Sequence, residues 1–193
     1  MSKNTQNFVS NRRKGSMATK TLTYCALLAA LQVAMARLVG LMPTEFTRFS
    51  IEAVPTILAG ILFGPVAGAL VGFIADFVGC LFSPFPYNPI FALPPVLYGL
   101  SGGFFRPLLT VAKSNLRMIL TLTVTVAVPV VFGSVLYQSW ALDFVYSKGY
   151  VYFLASRSVQ FAVVMVLEII ILVVLFKSKV FQHMGVWPPK KRG

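Results

Sequence analysis

Acidic residues are scarce in this chain. Only five Asp and Glu stand against seventeen Lys and Arg, and the single histidine, His183, lies in the C-terminal tail. The apolar runs therefore hold no histidine to serve as a base or a metal ligand, and no metal site or cofactor is expected. No Gly-rich loop ends in Lys-Ser or Lys-Thr, which excludes ATP hydrolysis by that route. A nucleophile elbow of the hydrolase kind is missing as well. Cys25 and Cys80 fall inside separate apolar runs and read as small buried hydrophobes, not as a disulfide pair. An enzyme has little to be built from here.

Charge of either sign is also rare. Charged residues make up 11% of the chain and hydrophobic ones 57%, against about 25% and roughly 45–50% in soluble domains. A soluble fold of 193 residues cannot hide that much apolar surface, so the bilayer must be the solvent. The net charge of +12 is explained by placement. Lys3, Arg12, Arg13, Lys14 and Lys20 precede the first apolar run; Arg106, Lys113 and Arg117 separate two later ones. Lys177, Lys179, Lys190, Lys191 and Arg192 follow the last. With six spans all of these share one side, while Arg37, Arg48, Lys148 and Arg157 lie at or near the other. That bias places both termini in the cytoplasm and removes the need for a nucleic-acid partner.

The chain thus reads as an all-α integral membrane protein, a bundle of six transmembrane helices. A polar basic segment, 1–17, precedes the membrane domain, 18–176, and a basic tail, 177–193, follows it. The start lacks the pattern of a cleavable signal, and Met1 and Met17 both remain open as starts. The first span covers about Ala18 to Leu41, followed by a loop from Met42 to Ser50. Two short spans, about Ile51 to Phe63 and Val66 to Phe82, meet at Gly64-Pro65; they read as full crossings shielded by neighbouring helices, with a re-entrant hairpin as the alternative. Ser83 to Pro95 carries five prolines and reads as an outer loop. The fourth span descends to Arg106, and a connector runs from Arg106 to Arg117. The fifth covers about Met118 to Trp140, with a kink at Pro129. The sixth covers about Tyr150 to Phe176. The tail is expected to lie at the membrane surface or to be disordered.

Small and polar residues mark particular faces. Ala26, Ala30 and Ala34 recur every fourth residue in the first span, a face that lets another helix approach closely. Packing within the bundle and docking of a partner both fit it. Gly68, Gly72, Asp76 and Gly79 share one face of the third span; Asp76 there serves as a structural hydrogen-bonding group or touches substrate. Arg157, Gln160 and Glu168, with Val164 between them, form a polar stripe on the sixth. Arg157 and Gln160 lie in its outer half and Glu168 deeper, turned toward a pocket. The outer loops add Glu45, Phe46, Arg48, Phe49 and Glu52, then Phe85, Tyr87, Asn88 and Phe91, then Tyr137, Gln138, Trp140, Tyr150 and Tyr152. Aromatic walls with a few placed polar groups describe a small-molecule pocket.

Several stretches resemble one family. Phe49-Ser50-Ile51-Glu52-Ala53-Val54-Pro55, Leu58-Ala59-Gly60-Ile61-Leu62-Phe63-Gly64-Pro65, Gly68-Ala69-Leu70-Val71-Gly72 and Ala75-Asp76 are similar to the substrate-binding S components of energy-coupling factor (ECF) transporters. Ala26-Leu27-Leu28-Ala29-Ala30 matches their small-residue motif in the first helix, and Tyr87-Asn88-Pro89 through Tyr98-Gly99 fits the following loop and helix. Within the family the chain looks most like the folate group. The resemblance implies an outward-facing vitamin pocket capped by the first outer loop. It also implies a membrane coupling subunit, docked on Ala26, Ala30 and Ala34, and two cytoplasmic ATPase subunits.

Folate chemistry assigns roles to the candidates. Glu52, Asn88, Gln160 and the loop tyrosines, Tyr87 among them, suit a pterin ring. Arg48 and Arg157 suit the two carboxylates of the glutamate tail. Phe49, Gln138 and Trp140 complete the expected substrate site, with Asp76 and Glu168 as structural polar groups. The alternatives are an S component for thiamine, riboflavin or pantothenate, and a non-transporting membrane scaffold of the MreD type.

Overall fold

In the computed structural model, residues 3–36, 41–44, 47–49, 51–82, 87–112, 114–147, 149–178, 180–183 and 187 are described, with side chains from residue 19 onward except those of 37–50 and 182–183. Six helices form the bundle. They are Lys3–Ala34, Ala53–Phe63, Pro65–Leu81, Leu93–Val111, Asn115–Tyr146 and Tyr150–Lys177, named here first to sixth. All six expected spans are present, but their ends differ in instructive ways.

The first helix begins well before the apolar run, because the polar segment ahead of it continues the same helix. The loop expected between the first two spans contains two short antiparallel strands, Leu41–Thr44 and Thr47–Phe49, with Leu41 opposite Phe49. The second span is short. Eleven residues rise about 16 Å, roughly half of a hydrocarbon core of about 30 Å. The fourth helix takes in prolines expected in the loop before it. Pro94 and Pro95 sit in its first turn, where a missing N–H leaves nothing unpaired. At its far end the fourth helix runs on past Arg106 to Val111, which shortens the expected connector. In the tail, Trp187 is buried, its ring 5.7 Å from that of Phe176.

Glycine packs the second, third and fourth helices against one another. A Cβ on Gly99 would stand 2.1 Å from the carbonyl carbon of Gly68, and one on Gly60 would stand 2.2 Å from the carbonyl oxygen of Gly99. Only hydrogen fits at these crossings, so the three backbones lie as close as helices can. Gly64, at φ 105°, makes the turn from the second helix into the third. The first helix lies against the second and third, and there Thr56 donates from its hydroxyl to the side-chain oxygen of Gln32.

The fifth helix is built differently. It is α-helical over Asn115–Pro129, widens to a π-helix over Val130–Tyr137, and returns to α over Gln138–Tyr146. The expected kink at Pro129 is this change of winding. Proline offers no N–H to the carbonyl four residues back, which is that of Thr125. The Ser101 hydroxyl of the fourth helix donates to that oxygen at 2.8 Å. A backbone group that lipid cannot satisfy is thus satisfied by a neighbour.

The bundle is apolar outside and buries a few polar groups within its apolar core. Phe73, Ile74 and Phe77 on the third helix are exposed, as are Val159, Val163, Leu167, Ile170 and Val174 on the sixth. Arg157, Gln160 and Glu168 are buried. Water would reverse this arrangement; a bilayer requires it. The fifth and sixth helices are each long and apolar enough to cross one.

Candidate binding site

The sixth helix turns Phe153, Arg157, Gln160, Val164, Glu168 and Leu172 inward, so the polar stripe read from spacing is one buried face. Arg157 is 6% exposed. Its Nε donates to the carbonyl of Ser134 at 2.9 Å, and one terminal nitrogen donates to Gln138 Oε1 at 2.7 Å. Its guanidinium carbon stands 5.0 Å from the centre of the Phe161 ring. Both hydrogen-bond partners are neutral. Among the described residues no carboxylate pairs with this cation.

The site draws on three further elements. The π segment of the fifth helix supplies Ser134, whose carbonyl holds Arg157 and whose hydroxyl lies 3.0 Å from the phenol of Tyr98 on the fourth. Tyr98 is buried. The Tyr137 hydroxyl donates to the carbonyl of Ile90 at 3.0 Å, tying the fifth helix to the turn Pro89–Phe91. Asn88 opens that turn by accepting from the backbone N–H of Ile90 at 3.1 Å. The strand Thr47–Phe49 packs on the sixth helix.

The sequence-derived candidates divide accordingly. Arg157, Gln160 and Gln138 come together, and Glu52 stands at the start of the second helix, half-buried. The side chains of Arg48 and Phe49, and residues Glu45, Phe46 and Phe85, lie outside the described part. Tyr87 meets Phe77 edge-on at 5.2 Å, and the Asp76 carboxylate acts on its phenol. Trp140 is 50% exposed, its ring 5.9 Å from that of Tyr137 and stacked on Phe144, itself 71% exposed. Such a pair on the outer face suits the membrane–water boundary better than a pocket. Tyr98 and Ser134 were not among the candidates. Tyr98 sits beside Gly99 and Gly102 on a helix read for its glycines, and Ser134 is a lone serine in an apolar run.

The bundle is thus a six-helix membrane fold with a few polar groups buried among its helices, and the comparisons say which family it belongs to. Residues 16–180 match the family model described as "ECF-type riboflavin transporter, S component". The chain belongs to this family; it is a vitamin-binding transport subunit of the ECF type and not an enzyme. The fold agrees. A crystal structure of FolT bound with folic acid superposes with a TM-score of 0.68 at 22% identity, over 81% of this chain and 92% of that one. The S component of a bacterial ECF transporter gives 0.61 at 19%, over 84% and 99%. An S component for biotin gives 0.61 at 17%, over 84% and 93%. No curated protein matches the chain in sequence.

Proposed function

We propose that the chain captures folate and presents it to an ATP-driven import complex. The observation that carries this reading is Arg157. A buried cation without a carboxylate partner is costly, and a planar fork of N–H donors is made for a carboxylate. Folate brings two carboxylates. Riboflavin, named in the family description, has none, and thiamine is itself a cation. Gln160 and Glu52 offer acceptors and donors for the pterin edge, and Tyr98 and Phe161 offer ring faces beside them. The likeness to FolT agrees with this choice, and pantothenate and biotin share the carboxylate and form the second rank.

The reading extends to partners. Ala26 and Ala30 are exposed on the first helix and Ala34 is half-buried, and Leu22, Leu27 and Leu31 beside them are exposed as well. This small-residue face is not consumed by packing inside the bundle, which favours docking of a membrane coupling subunit, with two ATPase subunits bound to it on the cytoplasmic side. The basic residues at both ends and in the fourth-to-fifth connection favour cytoplasmic termini in a bacterial plasma membrane.

Isothermal calorimetry on the detergent-purified protein tests the cargo. Folate is expected to bind one-to-one, with riboflavin and thiamine silent. Binding of riboflavin in place of folate would overturn the assignment while keeping the machine.

A further inference from the structure

Hydroxyls buried in this bundle find partners in two different ways. Thr125 donates to the carbonyl of Thr121 on its own helix at 2.7 Å, which satisfies the group and fixes nothing else. The hydroxyl of Ser134 on the fifth helix instead lies 3.0 Å from the phenol oxygen of Tyr98 on the fourth, with both residues buried. A polar group desolvated to this degree is costly unless bonded, so the pair ties two helices at one level.

The backbone at Ser134 is unusual as well. In an α-helix the N–H of Gln138 would serve the carbonyl of Ser134, four residues back. In the π segment it serves the carbonyl of Gly133. The Ser134 carbonyl accepts from Arg157 Nε at 2.9 Å, and Gln138 Oε1 accepts from a terminal nitrogen at 2.7 Å. Two acceptors on one helix thus grip two nitrogens of a rigid planar group, and that sets the direction its plane faces. Whatever steadies Ser134 therefore steadies the guanidinium. The side chain that reaches Ser134 from another helix is Tyr98.

We propose that Tyr98 is a positioning residue for Arg157: its hydroxyl, acting through Ser134, keeps the guanidinium turned toward a carboxylate of the cargo. The carboxylate rests on the vitamin-capture reading; the tie from Tyr98 to Arg157 does not. When the tie is lost the guanidinium can turn, and the cost falls on the charged end of the ligand. Removing the phenol oxygen alone leaves the ring, so the packing around Tyr98 is kept.

The test uses full-length protein in detergent with Tyr98→Phe and Ser134→Ala, each checked for folding by its thermal melt. Without ligand, NMR of protein carrying nitrogen-labelled arginine follows exchange of the Arg157 Nε proton with water. Its signal is identified by its loss in Arg157→Lys. One hydrogen bond of ordinary net strength corresponds to about 2- to 13-fold in an equilibrium, and exchange is expected to quicken by that factor in both variants. The double variant removes the same bond from both sides and is expected to quicken no further. Calorimetry then compares folate with hydroxymethylpterin, which keeps the ring and lacks the glutamate tail. Folate should weaken by a similar factor in both variants, and the tail-less pterin should not. In an Arg157→Ala background, Tyr98→Phe should leave folate affinity where it was. Wild-type exchange in both variants overturns the tie. Equal weakening of the two ligands, or a further loss on top of Arg157→Ala, overturns the action through Arg157. Should wild type bind no folate, the cargo assignment fails and the exchange data still decide the tie.

Discussion

The two halves of this bundle solve opposite problems. The second, third and fourth helices meet through glycines, with backbones in contact and no polar side chain needed at the crossings. The fifth and sixth meet through Arg157, Ser134 and Gln138, across a helix that widens into a π turn. Close packing gains dispersion contacts and excludes space; the polar seam gives up tight packing to hold a charge. π segments recur at functional positions because they free carbonyls and shift side chains, and Ser134 does both. A glycine-packed half thus stands beside a half with a buried polar seam, where we place the solute.

Substitutions can break that contrast. The largest effect is expected at the polar seam. Arg157→Ala should weaken folate binding by about 2–5 kcal/mol, the range for truncating one member of a buried charged pair. Calorimetry reads the affinity, and Arg157→Lys should fall between, keeping charge without the fork. The thermal melt of Arg157→Ala without ligand should hold steady or rise, because an unneutralised buried charge is removed. A fall in both stability and binding would make Arg157 a structural residue. In the glycine half the order reverses: Gly99→Ala should cost about 1–3 kcal/mol of stability or more, seen as a lowered melting temperature. The protein that stays folded should keep near-wild-type affinity.

The smallest effect sharpens the comparison where the halves join. Ser101→Ala leaves the Thr125 carbonyl without its donor and should cost about 1–3 kcal/mol. Adding Pro129→Ala returns an N–H at the position that serves Thr125 in an α-helix, and should recover part of the loss. Thermal melts of the two single variants and the double variant give the coupling between them. Additive losses would show that Ser101 does not compensate for the proline.

Much of this was legible in the sequence. The stripe Arg157–Gln160–Glu168 stood out because three polar residues at helical spacing are conspicuous in an apolar run. The alanine face on the first helix was visible from its four-residue spacing, and its exposure only from the structure. What escaped notice had no local signal. A run of eleven apolar residues looks alike whether it crosses half a membrane or a whole one, and only the surrounding helices decide. Pro94 and Pro95 read as loop because proline marks both loops and the first turn of a helix. The π segment is invisible in composition, since Val130–Tyr137 would suit an ordinary helix. Trp187 sits in a basic tail, and its burial depends on Phe176 and on the backbone bond to Phe181.

The short second helix has a further consequence. Its eleven residues rise about half the thickness of a hydrocarbon layer, so the rest of that thickness falls to the chain beside it, which includes the strands Leu41–Thr44 and Thr47–Phe49. On the reading we propose, cargo could change through those strands and a few facing side chains while the glycine crossings that pack the bundle stay as they are.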